Sequence, residues 1–445
     1  MARPEDDIAL PEVLIKTIQH FAPDFFKALA AVKDFRDPKR ILYRTEELLL
    51  VGMLAFLVKV QSRRNIKYKL AERKFIENLK LLGQIFYPGI SFPDTLPHGD
   101  TVNYLLSGVA TAEIETLRLR IIQSLLRGRH LEKYRLFRHY PISVDGTGCW
   151  AFGAIKHCVH CLKKTRDGKT FYYHPVLEAK LTLSNGFAFS VGTEFIENEH
   201  EDVAKQDCEL KAFYRLTEKL KRDFPQLKIC LLLDGLFAAE PVFARCHQMG
   251  WEYLIVFKEG KMPATFSEYE ALLKNSPRQT IWTQPQKNLQ QTFQWVNDID
   301  YDGRKLHAFQ CFEEAPEKET CFVWLSSFRL EAENVRTLGN QGGRCRWVIE
   351  NQGFNVQKNG GYELEHAFSR NNTAMKNFYV LMQLAHIFNQ LMEKGSLIWD
   401  RLKDFMGSLK VFSLKMWAAL TQTLIDPMRL RDILARRIQI RFESG

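Results

Sequence analysis

Three acidic residues, far apart along the chain, have settings typical of a site for divalent metal ions. Asp145 follows an apolar run in PISVDGTG, Asp234 follows another in KICLLLDGLF, and Glu350 lies in the helix-like stretch RCRWVIENQGFN. Two carboxylates at strand ends and one on a helix can converge, and their mutual repulsion then favours a cation between them. Such a site could hold two Mg²⁺ ions, with Mn²⁺ as a substitute, for in-line attack on a phosphodiester.

Each of these acids also has a simpler structural explanation. An Asp between a strand and a glycine, as at Asp145 and Asp234, is often only a turn former. Arg346 precedes Glu350 by four residues, and this spacing also suits an ordinary ion pair on a helix surface. The residues alone leave both explanations open.

The overall charge and the longest apolar run limit the class of protein. The 445 residues include 62 Lys and Arg against 52 Asp and Glu, a formal net charge of +10. This balance favours polyanionic partners, although many basic proteins bind no nucleic acid. The apolar run Leu48–Val58 is short for a membrane span and predicts a buried helix. Because the acidic N-terminal stretch lacks an apolar signal sequence, we expect a cytoplasmic protein without a membrane segment.

The hydrophobic pattern changes character at Tyr140. Before this residue, helical patterns alternate with short breaks, and after it strand-like runs alternate with helices. Strands are predicted at Ile142–Val144, Phe171–Leu183, Phe187–Ile196, Ile229–Leu233, Tyr253–Phe257 and Cys321–Phe328. Three strands, a helix and then strands alternating with helices predict an α/β fold, an RNase H-like mixed sheet flanked by helices.

Five segments follow from this pattern. Residues 1–138 are predicted to be an all-α N-terminal region whose basic clusters either line a DNA surface or are a solvated helix face. Residues 139–258 form the first part of the core, and residues 259–320 form a small β-rich insertion. Residues 321–400 complete the core, with Glu350 on a helix predicted over residues 334–354. Residues 401–445 form a basic helical tail.

Three motifs together resemble those of the DDE transposases of bacterial insertion sequences. They are VDGTG, LLDG and R-W-V-I-E-N-x-G-F-N-x-x-K-N-x-G-Y-x-L-E-H, and the resemblance spans residues 140–391. It implies an RNase H-like core split by a β-rich insertion. It also implies that Asp145, Asp234 and Glu350 form the metal-binding catalytic triad, with Mg²⁺ as the cofactor. Arg346 belongs to the same signature and is implied to orient Glu350 or a DNA phosphate.

The resemblance also implies a reaction and its partners. The reaction is metal-dependent cleavage of double-stranded DNA at terminal inverted repeats, followed by strand transfer into target DNA. The chain would act as a homodimer in a synaptic complex and be associated with the nucleoid. No nucleotide cofactor is expected, because the Gly-x-x-x-x-Gly-Lys-Ser/Thr motif is absent. Two alternatives stay open, a catalytically silent DNA-binding protein derived from a transposase and an RNase H-like nuclease without strand transfer.

The sequence departs from the transposase signature at two positions. Many of these transposases have a Tyr three residues before the Arg and a Lys seven residues after the Glu, whereas this chain has Gly343 and Gln357 there. Lys358 is one position further along and is the predicted DNA-binding replacement. One residue turns a side chain by about 100° on an α-helix, so this replacement requires the helix to break or bulge near Gly353.

The segment from His157 to Cys161 has two further groups of interest. Its four candidate zinc ligands are His157, Cys158, His160 and Cys161. Four ligands within five residues cannot all surround one ion, so the alternatives are a zinc site completed by other residues and a reduced, metal-free hairpin rim. The hairpin tip that follows is predicted either to bind DNA or to be solvated, and its basic residues are Lys163, Lys164, Arg166 and Lys169.

Overall fold

The computed structural model describes residues 9–153, 158, 160–200, 203–275, 278–284, 288–316, 318–398 and 408–442. Between residues 9 and 134 its regular elements are helices. These are α1 (Leu10–Phe21), α2 (Phe25–Ala30), α3 (Thr45–Leu57), α4 (Asn65–Leu70), α5 (Arg73–Phe86), α6 (Gly99–Gly108) and α7 (Thr111–Arg127). Every residue of α3 is buried, which confirms the predicted buried helix. Among the described residues, no helix combines the length and apolar character needed to cross a membrane.

Ten strands form one continuous sheet. They are β1 (Tyr140–Phe152), β2 (Leu162–Arg166), β3 (Lys169–Thr182), β4 (Ala188–Phe195), β5 (Ile229–Leu233), β6 (Glu252–Val256), β7 (Arg278–Gln284), β8 (Leu289–Tyr301), β9 (Arg304–Ala315) and β10 (Lys318–Ser326). In the middle of the sheet the order is β4-β3-β1-β5-β6. β1 is antiparallel to β3 but parallel to β5, which is parallel to β6. The predicted mixed α/β sheet is therefore confirmed.

The connections after β4 and β5 contain helices α8 (Glu209–Asp223) and α9 (Glu240–Met249), and α10 (Pro263–Asn275) follows β6. β10 pairs with β6 and β9, and β8 and β7 follow towards the edge. The segment predicted as a β-rich insertion thus extends the same sheet. The sequence did not predict the strand β7. Its residues RQTIWTQ are mostly polar and its Ile281 is exposed, so the strand lacks a regular apolar face.

The helix predicted over residues 334–354 is not a single regular element. It consists of α11 (Val335–Thr337), a π-helix (Leu338–Gly342), a 3₁₀ turn (Gly343–Arg346), a second π-helix (Ile349–Phe354) and α12 (Asn355–Asn359). The glycines allow this segment to lie directly against the sheet. A Cβ on Gly342 would lie 2.4 Å from a methyl carbon of Leu254, and one on Gly343 would lie 2.4 Å from the Trp324 ring.

The long helix α13 (Asn372–Glu393) joins the N-terminal helices to the sheet. It packs against α3, α6 and α7 on one side and β4 on the other, and nearly all of its residues are buried. The C-terminal helices α14 (Leu409–Gln422) and α15 (Pro427–Ala435) also pack against α1. The N-terminal helices therefore share one hydrophobic core with the sheet and the C-terminal helices.

A buried polar network connects α7, the sheet and α13. The Arg118 guanidinium, 3% exposed, donates a 2.8 Å hydrogen bond to Ser190 Oγ. It lies 3.9 Å from the fully buried Glu178 carboxylate, which accepts hydrogen bonds of 2.8 Å from Thr193 and Tyr379. Because a buried carboxylate needs both hydrogen bonds and a nearby cation, this network fixes how α7 lies on the sheet.

Replacing Arg118 by Met should lower the free energy of unfolding by about 3 kcal/mol or more, because the Glu178 charge stays buried without its guanidinium. Arg120→Met is the matched control on the same helix, since Arg120 is exposed, and should change stability by less than about 0.5 kcal/mol. Urea denaturation of the purified chain measures both. Equal effects of the two substitutions would show that the network contributes little.

Candidate active site

The register of two parallel strands brings the two aspartates together. Val144 of β1 pairs with Leu233 of β5, so the next residues in register are Asp145 and Asp234. β5 ends at this point, and Asp234 begins a short turn. β1 continues to Phe152 because its antiparallel pairing with β3 continues, so the prediction that Asp145 ends a strand is wrong. What ends at Val144 is the pairing with β5, so Asp145 and Asp234 lie next to each other just beyond the last paired residues.

Glu350 comes to the same region from the irregular helical segment. It lies in the second π-helix, which contacts β1, β3 and β4. Its side chain is half-buried, and no described Lys, Arg or His side chain lies within ion-pair distance of it. Burial is the main cause of the raised pKa of Asp145, and the charges of Asp234 and then Glu350 add smaller increases. The sequence-predicted acids Asp145, Asp234 and Glu350 are thus electrostatic neighbours.

Arg346 pairs with Asp145 rather than with Glu350. Its Nη1 donates a 3.2 Å hydrogen bond to Asp145 Oδ2, and its guanidinium lies 4.5 Å from the ring centre of the exposed Trp347. The i,i+4 ion pair with Glu350 is absent among the described residues, because the 3₁₀ turn and the π-helix change the angle between the two side chains. Arg346 therefore contacts Asp145 and not Glu350, and its predicted contact with a DNA phosphate remains a prediction.

A fourth carboxylate, Glu209, faces the two aspartates. It is the first residue of α8, and its Oε1 would lie 2.3 Å from a Cβ on Gly146. Burial raises the pKa of Glu209, and the charges of Asp145 and Asp234 raise it further. The sequence prediction missed Glu209 because no local pattern distinguishes it from other acidic residues, and it joins the site only through the packing of α8 on the sheet.

Repulsion within this acidic cluster is only partly offset by positive charge. Burial raises the pKa of Asp145, and Asp234 and Glu350 add to the increase, while Arg346 and the Gly146 N–H oppose it. Lys258, two residues beyond β6, has its Nζ 3.9 Å from Asp234 Oδ1. No described cation lies within ion-pair distance of Glu209 or Glu350.

The donor chemistry of the cluster fits a hard divalent cation, since all four side chains offer carboxylate oxygens. The four carboxylates are too far apart to share a metal ion in this arrangement. The described residues contain no group of three or more His, Cys, Asp or Glu side chains close enough together to hold one. Asp145 also has both oxygens in hydrogen bonds, Oδ1 with the Gly146 N–H and Oδ2 with Arg346. A cation bound here would have to draw the carboxylates closer and displace the Arg346 or Lys258 contact.

The two positions that depart from the transposase signature have structural explanations. A side chain at position 343 would overlap Trp324, so no Tyr fits there. Gln357 is fully buried, and its Nε2 lies 2.8 Å from Gln383 Oε1 and 2.9 Å from His386 Nδ1.

Lys358 is partly exposed, and its Nζ lies 3.5 Å from Glu365. The bulge that Lys358 requires is present as the π-helix, in which the Asn355 N–H bonds to the Glu350 carbonyl five residues earlier. DNA binding by Lys358 remains a prediction.

Two of the four predicted zinc ligands are bonded to each other. Cys158 and Cys161 are joined in a disulfide, so neither sulfur is a thiolate ligand, and the predicted reduced rim is also not what is observed. His160 Nδ1 lies 3.0 Å from the Asn198 carbonyl oxygen, and His157 lies outside the described residues. Zinc binding by the reduced segment stays an untested prediction.

The predicted basic tip lies at the turn between β2 and β3, with Asp167 and Gly168 at positive φ. Asp145 pairs with Glu178 of β3, and Lys169 begins this strand nine residues earlier, about 30 Å further along it. The four basic residues of the tip are exposed, and they are Lys163, Lys164, Arg166 and Lys169. The tip therefore projects beyond the end of the sheet at which Asp145 and Asp234 lie. This position is compatible with DNA binding by the tip and also with simple solvation.

Comparisons with known proteins add little to this geometry. No protein-family model matches the chain, and no curated protein matches it. Among solved structures, the chain is similar to the piggyBac transposase in a cryo-EM structure of its synaptic complex with hairpin DNA. The TM-score is 0.43 at 13% identity, over 98% of this chain and 88% of that chain.

Replacing Glu209 by Gln should stabilise the metal-free protein near pH 8. Because burial and the neighbouring acids raise the folded pKa of Glu209, stability is highest below its unfolded pKa of about 4.3 and decreases as pH rises through the folded value. The variant avoids this loss, so it should unfold at a higher temperature than the wild type near pH 8, and the difference should vanish near pH 4. Thermal unfolding at both pH values in chelator measures it, with Glu333→Gln, which replaces an exposed acid, as control. A stability gain that is equal at both pH values would contradict repulsion as its cause.

Replacing Gly343 by Ala should lower the free energy of unfolding by about 1–3 kcal/mol, because the added methyl group overlaps the rigid Trp324 ring. Gly148→Ala is the control, since nothing lies within 4 Å of a Cβ at that position of β1. Denaturant unfolding of both variants tests this contact. A neutral Gly343→Ala would mean that the helical segment can shift away from the sheet without cost.

Proposed function

We propose that this chain is a DDE-type transposase that cleaves DNA at the terminal inverted repeats of an insertion sequence and joins the ends to target DNA. The observation that carries the proposal is the placement of Asp145 and Asp234 next to each other on adjacent parallel strands, with Glu350 near enough to raise the pKa of Asp145. A turn-forming role explains one aspartate at a strand end, but it does not explain two aspartates side by side on adjacent parallel strands. The strand order β4-β3-β1-β5-β6 and its directions suit an RNase H-like core.

In this proposal Asp145, Asp234 and Glu350 hold Mg²⁺, or Mn²⁺ in its place. The bound ions would activate the attacking oxygen and stabilise the leaving one. The protein's own contribution is to hold the carboxylates and the DNA in place. Arg346 orients Asp145 through its hydrogen bond to Oδ2. The exposed basic tip at β2 and β3 and Lys358 would bind the DNA backbone.

The proposed partners follow from the same reaction. Two element ends must be held together, and each needs a catalytic centre, so a homodimer bound to double-stranded DNA is proposed. The net charge of +10 supports a polyanionic partner. The proposed location is the nucleoid. A catalytically silent DNA-binding protein would keep this charge but would not need three carboxylates at one edge of the sheet.

The test is DNA cleavage in vitro with Mg²⁺, using a substrate that carries the genomic flanks of the element. The wild type should cut at the element ends, and Asp145→Asn, Asp234→Asn and Glu350→Gln should each lose at least about 100-fold in rate, because each removes a charge from the proposed metal site. DNA-binding affinity in Ca²⁺ should change little in these variants.

Glu218→Gln is the matched control, because it removes an exposed carboxylate outside the site. Cutting without joining would favour the RNase H-like nuclease. Binding without cutting by the wild type, or wild-type rates in any of the three acid variants, would contradict the proposal.

A further inference from the structure

We propose that Lys258 binds a phosphate of the DNA strand that enters the acidic site, and that it pairs with Asp234 only while no divalent cation is bound. This inference rests on the proposed function and adds a residue that the transposase signature does not contain. It concerns how a negatively charged strand can approach a cluster of carboxylates.

The position of Lys258 follows from the sheet. β1, β5 and β6 are consecutive parallel strands, and the pair Leu233 and Ile255 is the last in register between β5 and β6. Asp234 follows β5 directly, and Lys258 follows β6 by two residues. Three neighbouring strands thus present Asp, Asp and Lys at the same edge.

Gly235 allows this close placement. A Cβ at this position would lie 3.2 Å from the Val256 carbonyl oxygen and 3.6 Å from Lys258 Cδ. The aliphatic part of the Lys258 side chain therefore passes over the glycine, which brings its ammonium group towards Asp234. A Cβ at position 235 would crowd the Val256 carbonyl oxygen and would be in ordinary van der Waals contact with Lys258.

The contacts of Lys258 leave its ammonium group available. Its side chain is 65% exposed, and the 3.9 Å separation from Asp234 Oδ1 is an ion pair beyond hydrogen-bonding distance. The ammonium has three donors, and none of them has a hydrogen-bond acceptor among the described residues. Arg346 differs, since its side chain is 8% exposed and bonded to Asp145. Lys258 is therefore the cation of this site that can move.

Charge balance gives the lysine its proposed role. Asp234 is one of the proposed metal ligands, and a divalent cation there repels the ammonium and competes for the same oxygen. The displaced lysine would then be available to a phosphate, and its charge would offset the repulsion between the DNA and the Glu209 and Glu350 carboxylates, which have no ion-pair partner among the described residues. Two opposite effects of removing Lys258 are expected, tighter metal binding and weaker phosphate binding.

The first measurement is a Mg²⁺ titration of the full-length protein without DNA. The rise of the unfolding temperature with Mg²⁺ concentration reports the affinity for the metal. Lys258→Met should bind Mg²⁺ about two- to fivefold more tightly, because the exposed ion pair that competes for Asp234 is worth at most about 1 kcal/mol. Lys305→Met is the matched control. Lys305 also forms an exposed ion pair, with its Nζ 2.7 Å from Asp300, and its loss should leave the titration unchanged.

The second measurement is binding of a random-sequence duplex in Ca²⁺ at several salt concentrations. Loss of one phosphate contact should reduce the slope of log affinity against log salt by about one in Lys258→Met, whereas Lys258→Arg and Lys305→Met should keep the wild-type slope. At saturating Mg²⁺, Lys258→Met should also cut DNA at least about tenfold more slowly, the effect of about 1.4 kcal/mol of lost binding.

An unchanged salt slope in Lys258→Met, with wild-type cutting, would overturn this proposal and leave the lysine as a counter-ion of Asp234. An unchanged Mg²⁺ titration would overturn the exchange between metal and lysine. A wild-type protein that binds DNA and never cuts it overturns the proposed function instead. Lys258→Arg, which keeps the charge, separates a loss of phosphate binding from a loss of folding.

Discussion

The parallel pairing of β1 with β5 is the constraint on which the candidate active site depends. The register that places Val144 opposite Leu233 also places Asp145 beside Asp234, and the backbone hydrogen bonds of a fully buried strand hold it there. A slip of one residue would turn one aspartate to the opposite face of the sheet. The residues of β5 are all buried and alternate between two hydrophobic clusters on the two faces of the sheet, so the strand lies in the interior of the protein.

The second requirement is the irregular helical segment that carries Glu350. A regular α-helix would place Arg346 and Glu350 on one face, where they would neutralise each other. The 3₁₀ turn and the π-helix direct Arg346 to Asp145 and leave Glu350 without a cation. π-helical turns often occur at functional sites. Here the irregular segment keeps a negative charge unpaired where the proposed chemistry needs one.

The sequence was sufficient for the features that follow from local patterns. The buried runs before Asp145 and Asp234, the hairpins and the buried α3 all have apolar periodicity that predicts them. The exposed β7 has no such periodicity, and the pairing partner of Arg346 depends on helix irregularities that no short-range pattern encodes. Glu209 and Lys258 were missed because each lies in an unremarkable local sequence and joins the site only through the order of the strands.

The most direct test of the central claim is a crystal structure of the protein soaked with Mn²⁺, with the metal located by anomalous scattering. The account predicts a peak within about 2.5 Å of carboxylate oxygens of both Asp145 and Asp234, with Lys258 moved away from Asp234. Metal bound elsewhere in the chain, with both aspartates still in their present contacts, would contradict it.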